Sequence, residues 1–338
     1  MNKIKKRLFF RVDGDVGQSS GLGHLNRVLK IYKYLKKNNF KYIDFYFITK
    51  KHSLGHKLIT QYTNEAIIDP KVINKQNFFM SSDKVIIDTL GIDKSFRKLI
   101  NNSNVKEVVS FDEVNTKINK KLIIINGIYF TKKKIINKNN KNLRIYQGAN
   151  YLLLDKVFKL KKLPKSYNNI LITSGGTDSK NFLYNLTNFC FKKLPKNFRF
   201  IIIIGKGVTK NNNIFKMQSS RISLIISPNN IKKYLDNSIA TICSGGIVMH
   251  ESISSGRTTF AIKTYDNQKY AIKYFEKKKL IFNCGNIYKI KKDMICNKII
   301  KIKNNKKKIV KVFNKNSSYI DGKGFERIIS ILKTYINN

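Results

Sequence analysis

Apolar residues along this chain gather into short unbroken runs, separated by segments where they recur every three or four positions. In the first half the runs at 8–12, 43–48, 84–88, 107–111 and 122–125 predict strands, while 24–37 and 94–102 carry the helical spacing. In the first of these helices Leu25, Val28, Leu29, Tyr32 and Leu35 share one face, and Lys30, Lys33, Lys36 and Lys37 line the other. Strands rich in β-branched residues without polar alternation are buried on both faces, which points to parallel βαβ units in an open α/β sheet. A lysine-rich stretch at 156–169, with Pro164 and Asn168-Asn169, breaks the pattern. It then restarts with strands at 170–173, 200–204, 222–226, 239–243 and 258–262, helices at 180–193 and 247–255, and a final helix at 325–336. The expectation is an α/β protein of two Rossmann-like domains, 1–157 and 158–338. Ligands would sit at the carboxyl ends of the strands, in a cleft between the domains.

Composition narrows the class. At 338 residues and 42% hydrophobic content there is enough chain for two cores. No apolar run approaches the roughly 18 residues of a spanning helix. The basic start (Lys3, Lys5, Lys6, Arg7) leads into a short apolar run that reads as a first strand rather than a signal peptide, so a cytoplasmic location is expected. Cys190, Cys243, Cys284 and Cys296 show no metal-site spacing and are expected to be reduced, buried thiols.

The formal charge of +47 is discounted, because only nine of the 67 basic residues are arginine and the lysine excess travels with asparagine and isoleucine. That trio follows an AT-rich coding sequence. The densest basic runs, 132–141 and 291–308, hold no arginine fork, so no specific nucleic-acid partner is expected. A salt-sensitive peripheral association with an anionic membrane is the use of the charge left open beside compositional drift onto the surface.

Three glycine-rich turns follow predicted strands and open helices: Gly21-Leu22-Gly23-His24, Gly175-Gly176-Thr177-Asp178 and Ser244-Gly245-Gly246. Such turns bring backbone N–H groups and a helix N-terminus up to an anion, and two of them suit a diphosphate without a metal. His24 adds an imidazole, the side-chain type suited to general acid–base work, with Asp13 and Asp88 at strand ends as candidate orienting partners. Glu251, seven residues past Ser244, is placed to accept ribose hydroxyls. Asp266 reads as a helix cap, and Asn267 and Gln268 as donors to sugar or phosphate oxygens. No metal cluster and no cofactor are indicated.

The ordered set Arg11-Val12-Asp13-Gly14, Gly21-Leu22-Gly23-His24 with Arg27, Ile86-Ile87-Asp88, Ser110-Phe111-Asp112-Glu113, Ser174 to Asp178, Asp266-Asn267-Gln268 and Asp321-Gly322-Lys323-Gly324 spans nearly the whole chain. It resembles the spore-coat-polysaccharide and pseudaminic-acid family of UDP-sugar hydrolases. The stretch from Cys243-Ser244-Gly245-Gly246 to Glu251 is similar to the UDP-binding segment of the peptidoglycan lipid II glycosyltransferase. The resemblance implies a GT-B-like fold, UDP bound in the second half, and release of UDP from an amino-deoxy sugar with inversion. It also implies His24 as the base that activates water and Glu251 on the ribose. Leu90 stands where the pathway enzyme has a tyrosine, and Ser20 where isoleucine is usual. Two other classes stay open: a GT-B glycosyltransferase with a glycan or lipid acceptor, and a non-catalytic basic binding protein.

Overall fold

A computed structural model describes residues 5–14, 22–38, 40, 42–73, 78–89, 91–111, 117–127 and 142–338. Ser20, Gly21, Leu90, Asp112-Glu113 and the 132–141 lysine run, all singled out above, lie outside the described residues. The chain divides into two units, Met1–Leu153 with Glu326–Asn338, and Leu154–Phe325.

The first unit is built on seven parallel strands: β1 (Lys6–Val12), β2 (Ile43–Ile48), β3 (Ala66–Ile68), β4 (Lys84–Asp88), β5 (Glu107–Phe111), β6 (Lys121–Asn126) and β7 (Leu143–Gln147). They lie in the order β3-β2-β1-β4-β5-β6-β7. Helices α1 (Gly23–Lys37), α2 (Leu54–Tyr62) and α3 (Lys94–Asn102) connect them. The expected faces of α1 are present: Leu25, Val28, Leu29, Ile31, Tyr32 and Leu35 are buried, and Lys33, Lys36 and Lys37 are exposed. Ser53 and Asp93 cap α2 and α3 by accepting from the N–H groups of His56 and Phe96.

The second unit repeats the arrangement without repeating the sequence. Its strands are β8 (Asn169–Thr173), β9 (Arg199–Ile204), β10 (Ile222–Ile226), β11 (Ala240–Ser244), β12 (Thr258–Lys263), β13 (Ile281–Asn286) and β14 (Lys289–Ile290). Their order is β10-β9-β8-β11-β12-β13-β14, parallel except for the short last strand. Around them run α4 (Phe182–Lys193), α5 (Lys232–Asp236), α6 (Ile247–Ser254), α7 (Gln268–Lys277), α8 (Lys292–Lys303) and α9 (Lys306–Tyr319). In both sheets the strand order turns back beside the first strand, between β1 and β4 and between β8 and β11. In open α/β sheets that switch point is where a crevice opens at the carboxyl ends.

One part of the expectation is filled in and another changes. The 291–308 run, read above only for its lack of an arginine fork, forms α8 and the start of α9. Ile295, Cys296, Ile299 and Ile302 are buried beneath it, and Lys292, Lys298 and Lys303 lie over the rings of Phe189, Phe282 and Phe198. The terminal helix α10 (Gly324–Asn337), counted with the second half on sequence, contributes residues from Glu326 onward to the first unit. Its buried Tyr335 hydroxyl accepts from Val85 N–H at 2.7 Å and lies within reach of the carbonyls of Glu107 and Val85, at 2.9 and 3.1 Å. All four cysteines are free and buried. Among the described residues no helix is long and apolar enough to cross a membrane.

Candidate active site

Asp88 ends β4, the strand beside β1 at the switch point of the first sheet. Its carboxylate is wholly buried, yet three donors reach it. His24 Nδ1 lies 2.6 Å from Oδ1, and the Arg27 guanidinium donates from Nε to Oδ2 and from Nη2 to Oδ1, each at 2.6 Å. His24 and Arg27 stand three apart on the first turns of α1, so one helix face delivers both. The Arg27 guanidinium also lies 4.9 Å from the centre of the Phe111 ring. Burial drives the Asp88 carboxyl upward, but the charges of Arg27 and His24, with their hydrogen bonds, outweigh it and hold the group below its ordinary range. An ionised carboxylate on Nδ1 keeps the proton there, so the neutral ring offers Nε2 as its basic nitrogen.

Asp13 does not orient His24. Arg11, buried near the end of β1 and two residues before Asp13, takes the Asp13 carboxylate with Nη1–Oδ1 at 2.6 Å and Nη2–Oδ2 at 2.8 Å, and reaches Asp93 Oδ2 at 3.3 Å. Of the two expected partners the structure joins only Asp88 to the histidine. Gly23 opens α1, which has no side-chain cap.

In the second unit the switch point brings the ends of β8 and β11 side by side. Gly175 turns with φ +91°, and the buried Ser244 hydroxyl lies 3.4 Å from where a Cβ on Gly175 would stand. Thr177 Oγ1 is 2.9 Å from the Tyr265 hydroxyl beyond β12. The Gly175 turn does not open its helix directly. Lys180 and Asn181 intervene in left-handed conformation, and Asp178 Oδ1 accepts from Leu183 N–H at 3.1 Å while Oδ2 accepts from Asn212 at 2.8 Å. The start of α4 is thus already met by a carboxylate, which burial raises above its usual titration range. Asp178 ties the turn to the start of α4 and to Asn212.

At Gly246 the turn opens its helix directly: α6 begins there, with no side-chain cap among the described residues. Gly245 has no room for a side chain, since a Cβ would come within 2.6 Å of Ile272 Cδ1 and 3.0 Å of Gln268 Cβ. Gln268 draws the segment together, its Oε1 accepting from Thr264 N–H at 2.9 Å and Gly245 N–H at 3.3 Å. Asp266 does not cap α7. Its exposed carboxylate pairs with Lys263 at 2.6 Å, and Asn267 takes the cap position. Glu251 is half-buried on α6, two turns from Ser244. Ser174 Oγ is buried and has no hydrogen-bond partner among the described residues.

Sequence reasoning passed over one further element of this site, the Gly205-Lys206-Gly207 turn after β9. Gly207 N–H donates to Gly176 O at 2.8 Å, and a Cβ on Gly205 would fall on the Gly175 carbonyl oxygen. The signal was there to read: two glycines flanking a lysine at the end of four consecutive isoleucines. Among the described residues no group of three or more His, Cys, Asp or Glu is placed to hold a metal ion.

The fold is GT-B-like, two Rossmann-like α/β units on parallel sheets. Solved structures that share it include the calicheamicin glycosyltransferase CalG4, which covers 100% of this chain and 99% of its own at a TM-score of 0.61 and 9% identity. MurG of Acinetobacter baumannii covers 97% and 99% at a TM-score of 0.57 and 12% identity. UGT89C1 of Arabidopsis thaliana, crystallised with UDP-L-rhamnose, covers 97% and 100% at 0.56 and 11%. At such identities the likeness is one of fold. No family model matches the chain, and no curated protein matches it in sequence.

Proposed function

We propose that this chain is a UDP-sugar hydrolase in which His24 activates the attacking water. The observation that carries the reading is the His24–Asp88–Arg27 constellation, a buried ionised carboxylate fixing the imidazole tautomer at a sheet switch point. His24 Nε2 takes a proton from water as the oxygen bonds to the anomeric carbon. The bond from that carbon to the β-phosphate oxygen breaks, and UDP departs with the electron pair, inverting the centre. General-base assistance of this kind is worth about 10²–10⁴-fold. Charge stabilisation of the leaving diphosphate supplies further acceleration. That role falls to the second unit, where Gly175, Gly176, Thr177, Ser244, Gly245 and the uncapped start of α6 would receive UDP, with Glu251 on the ribose and Asn267 and Gln268 nearby.

A second reading, transfer of the sugar to a glycan or lipid hydroxyl, is favoured by the fold neighbour named as a glycosyltransferase. In that case His24 deprotonates the acceptor instead of water. The experiment is UDP release from a panel of UDP-sugars, with and without added acceptors or membrane extract. Release in buffer alone, falling about 10²–10⁴-fold in His24→Ala, is the expected result. Labelled water should then place its oxygen on the sugar and not on the phosphate. Release only with an acceptor establishes transfer, and none under any condition overturns the enzyme reading in favour of a basic binding protein.

A further inference from the structure

The Gly175-Gly176 turn is joined by a second loop whose side chain the function above leaves unused. Gly205-Lys206-Gly207 follows β9, which pairs with β8 along its whole length, so the two loops leave neighbouring strands at the same edge. Their backbones touch. Gly207 N–H donates to Gly176 O at 2.8 Å, and neither glycine of the second loop has space for a side chain. A Cβ on Gly205 would meet the backbone of Gly175 and Gly176, and one on Gly207 would lie 2.9 Å from Gly176 O and 2.8 Å from Thr177 Cγ2. These obstacles are mainly backbone, so the loop is glycine on both sides of Lys206 because it must lie flat against the turn. Lys206 is thereby held on a rigid mount beside the turn. It is exposed and makes no ion pair or hydrogen bond among the described residues.

Two other cations near these strand ends have partners. Lys263 pairs with Asp266 at 2.6 Å, and Lys180 lies 3.6 Å from the centre of the Tyr288 ring. A helix N-terminus supplies the equivalent of about half a positive charge, whereas a terminal phosphate group carries roughly −1.5 to −2. The uncapped start of α6 therefore leaves most of a diphosphate's charge unmet, and a full cation is needed within side-chain reach.

We propose that Lys206 is a phosphate-binding residue that neutralises the diphosphate of the bound nucleotide, and with it the charge that grows on the leaving group. The proposal rests on the UDP reading above. The test measures binding of UDP and of uridine by calorimetry to the unaltered protein and to Lys206→Ala, Lys206→Arg and Lys180→Ala, with thermal midpoints to confirm folding.

Lys206→Ala is expected to weaken UDP by roughly tenfold or more, the size of one charge-assisted hydrogen bond. Uridine affinity should be unchanged, Lys206→Arg should recover most of the loss, and Lys180→Ala should bind UDP as the unaltered protein does. Equal UDP affinity in Lys206→Ala and the unaltered protein overturns the assignment while leaving the UDP reading intact. An equal loss in Lys180→Ala also overturns it, since the effect would then belong to the general positive field. Failure of the unaltered protein to bind UDP removes the UDP reading and this assignment together.

Discussion

Arg27 does two things to Asp88, and they separate on mutation. It is the largest influence holding a buried carboxyl ionised, and it occupies both carboxylate oxygens. Arg27→Ala leaves that charge uncompensated apart from His24, and a loss of about 3–5 kcal/mol is expected, read as a lower urea midpoint. With Arg27 gone, burial dominates, so the carboxyl titrates higher and the acid limb of kcat/KM moves to higher pH. Asp88→Asn is the complement. It keeps the shape but no longer fixes the proton on Nδ1, so kcat should fall about 10²–10⁴-fold with little change in KM.

The sign of the stability effect follows from the depressed carboxyl. Its contribution is complete above the unfolded value, about 3.9, and fades as pH falls toward the lower folded value. Asp88→Asn should therefore show a shallower acid limb in a plot of unfolding midpoint against pH. His24 and Asp88 were legible in the sequence because a glycine turn and a strand end mark them. Asp13 was misassigned because Arg11, two residues before it, takes its carboxylate with both guanidinium nitrogens of the fork.

Elements were read well where one physical cause dominates. The strands at 43–48, 84–88, 107–111 and 222–226 and the helix at 94–102 have the expected bounds, because a parallel sheet demands unbroken apolar runs and Asp93 caps its helix. The helix α2 was not among the expected elements, and its nine residues include Gly55, which carries a helix-propensity cost. That glycine answers to a tertiary demand instead: its N–H donates to Gly14 O at 2.6 Å, and a Cβ would stand 2.8 Å from Gly14 N. The same logic makes loop packing testable. Gly205→Ala pushes a methyl group into the backbone of Gly175 and Gly176. A stability loss of about 1–3 kcal/mol is expected, seen as a lower midpoint for the second unit, with weaker UDP binding because the turn must shift.

On the scale of the whole molecule the charge of +47 is real, but part of it is structural. Lysines on α8 spread their stems over phenylalanine rings and cover apolar surface, so substituting them removes packing as well as charge. The field that remains is long-ranged only at low salt, with a Debye length of about 10 Å at 0.1 M and 3 Å at 1 M. Association with anionic vesicles in a sedimentation assay is expected at low ionic strength and should vanish as salt rises. Removal of 326–338 is a test of a different kind. It takes Tyr335 from β4 and β5 and should lower the unfolding transition of the first unit while leaving that of the second largely in place.

The placement of α10 also sets an order in time. The second unit is one continuous stretch, 154–325, and all of it is synthesised before the residues of α10 that join the first unit. The first unit is discontinuous: Val85 waits 250 positions for the hydroxyl that satisfies it. Synthesis therefore makes the strands of the first sheet, then the second unit, and only then the α10 residues that complete the first. Of the two units, the one that carries His24 is begun before the other and completed after it.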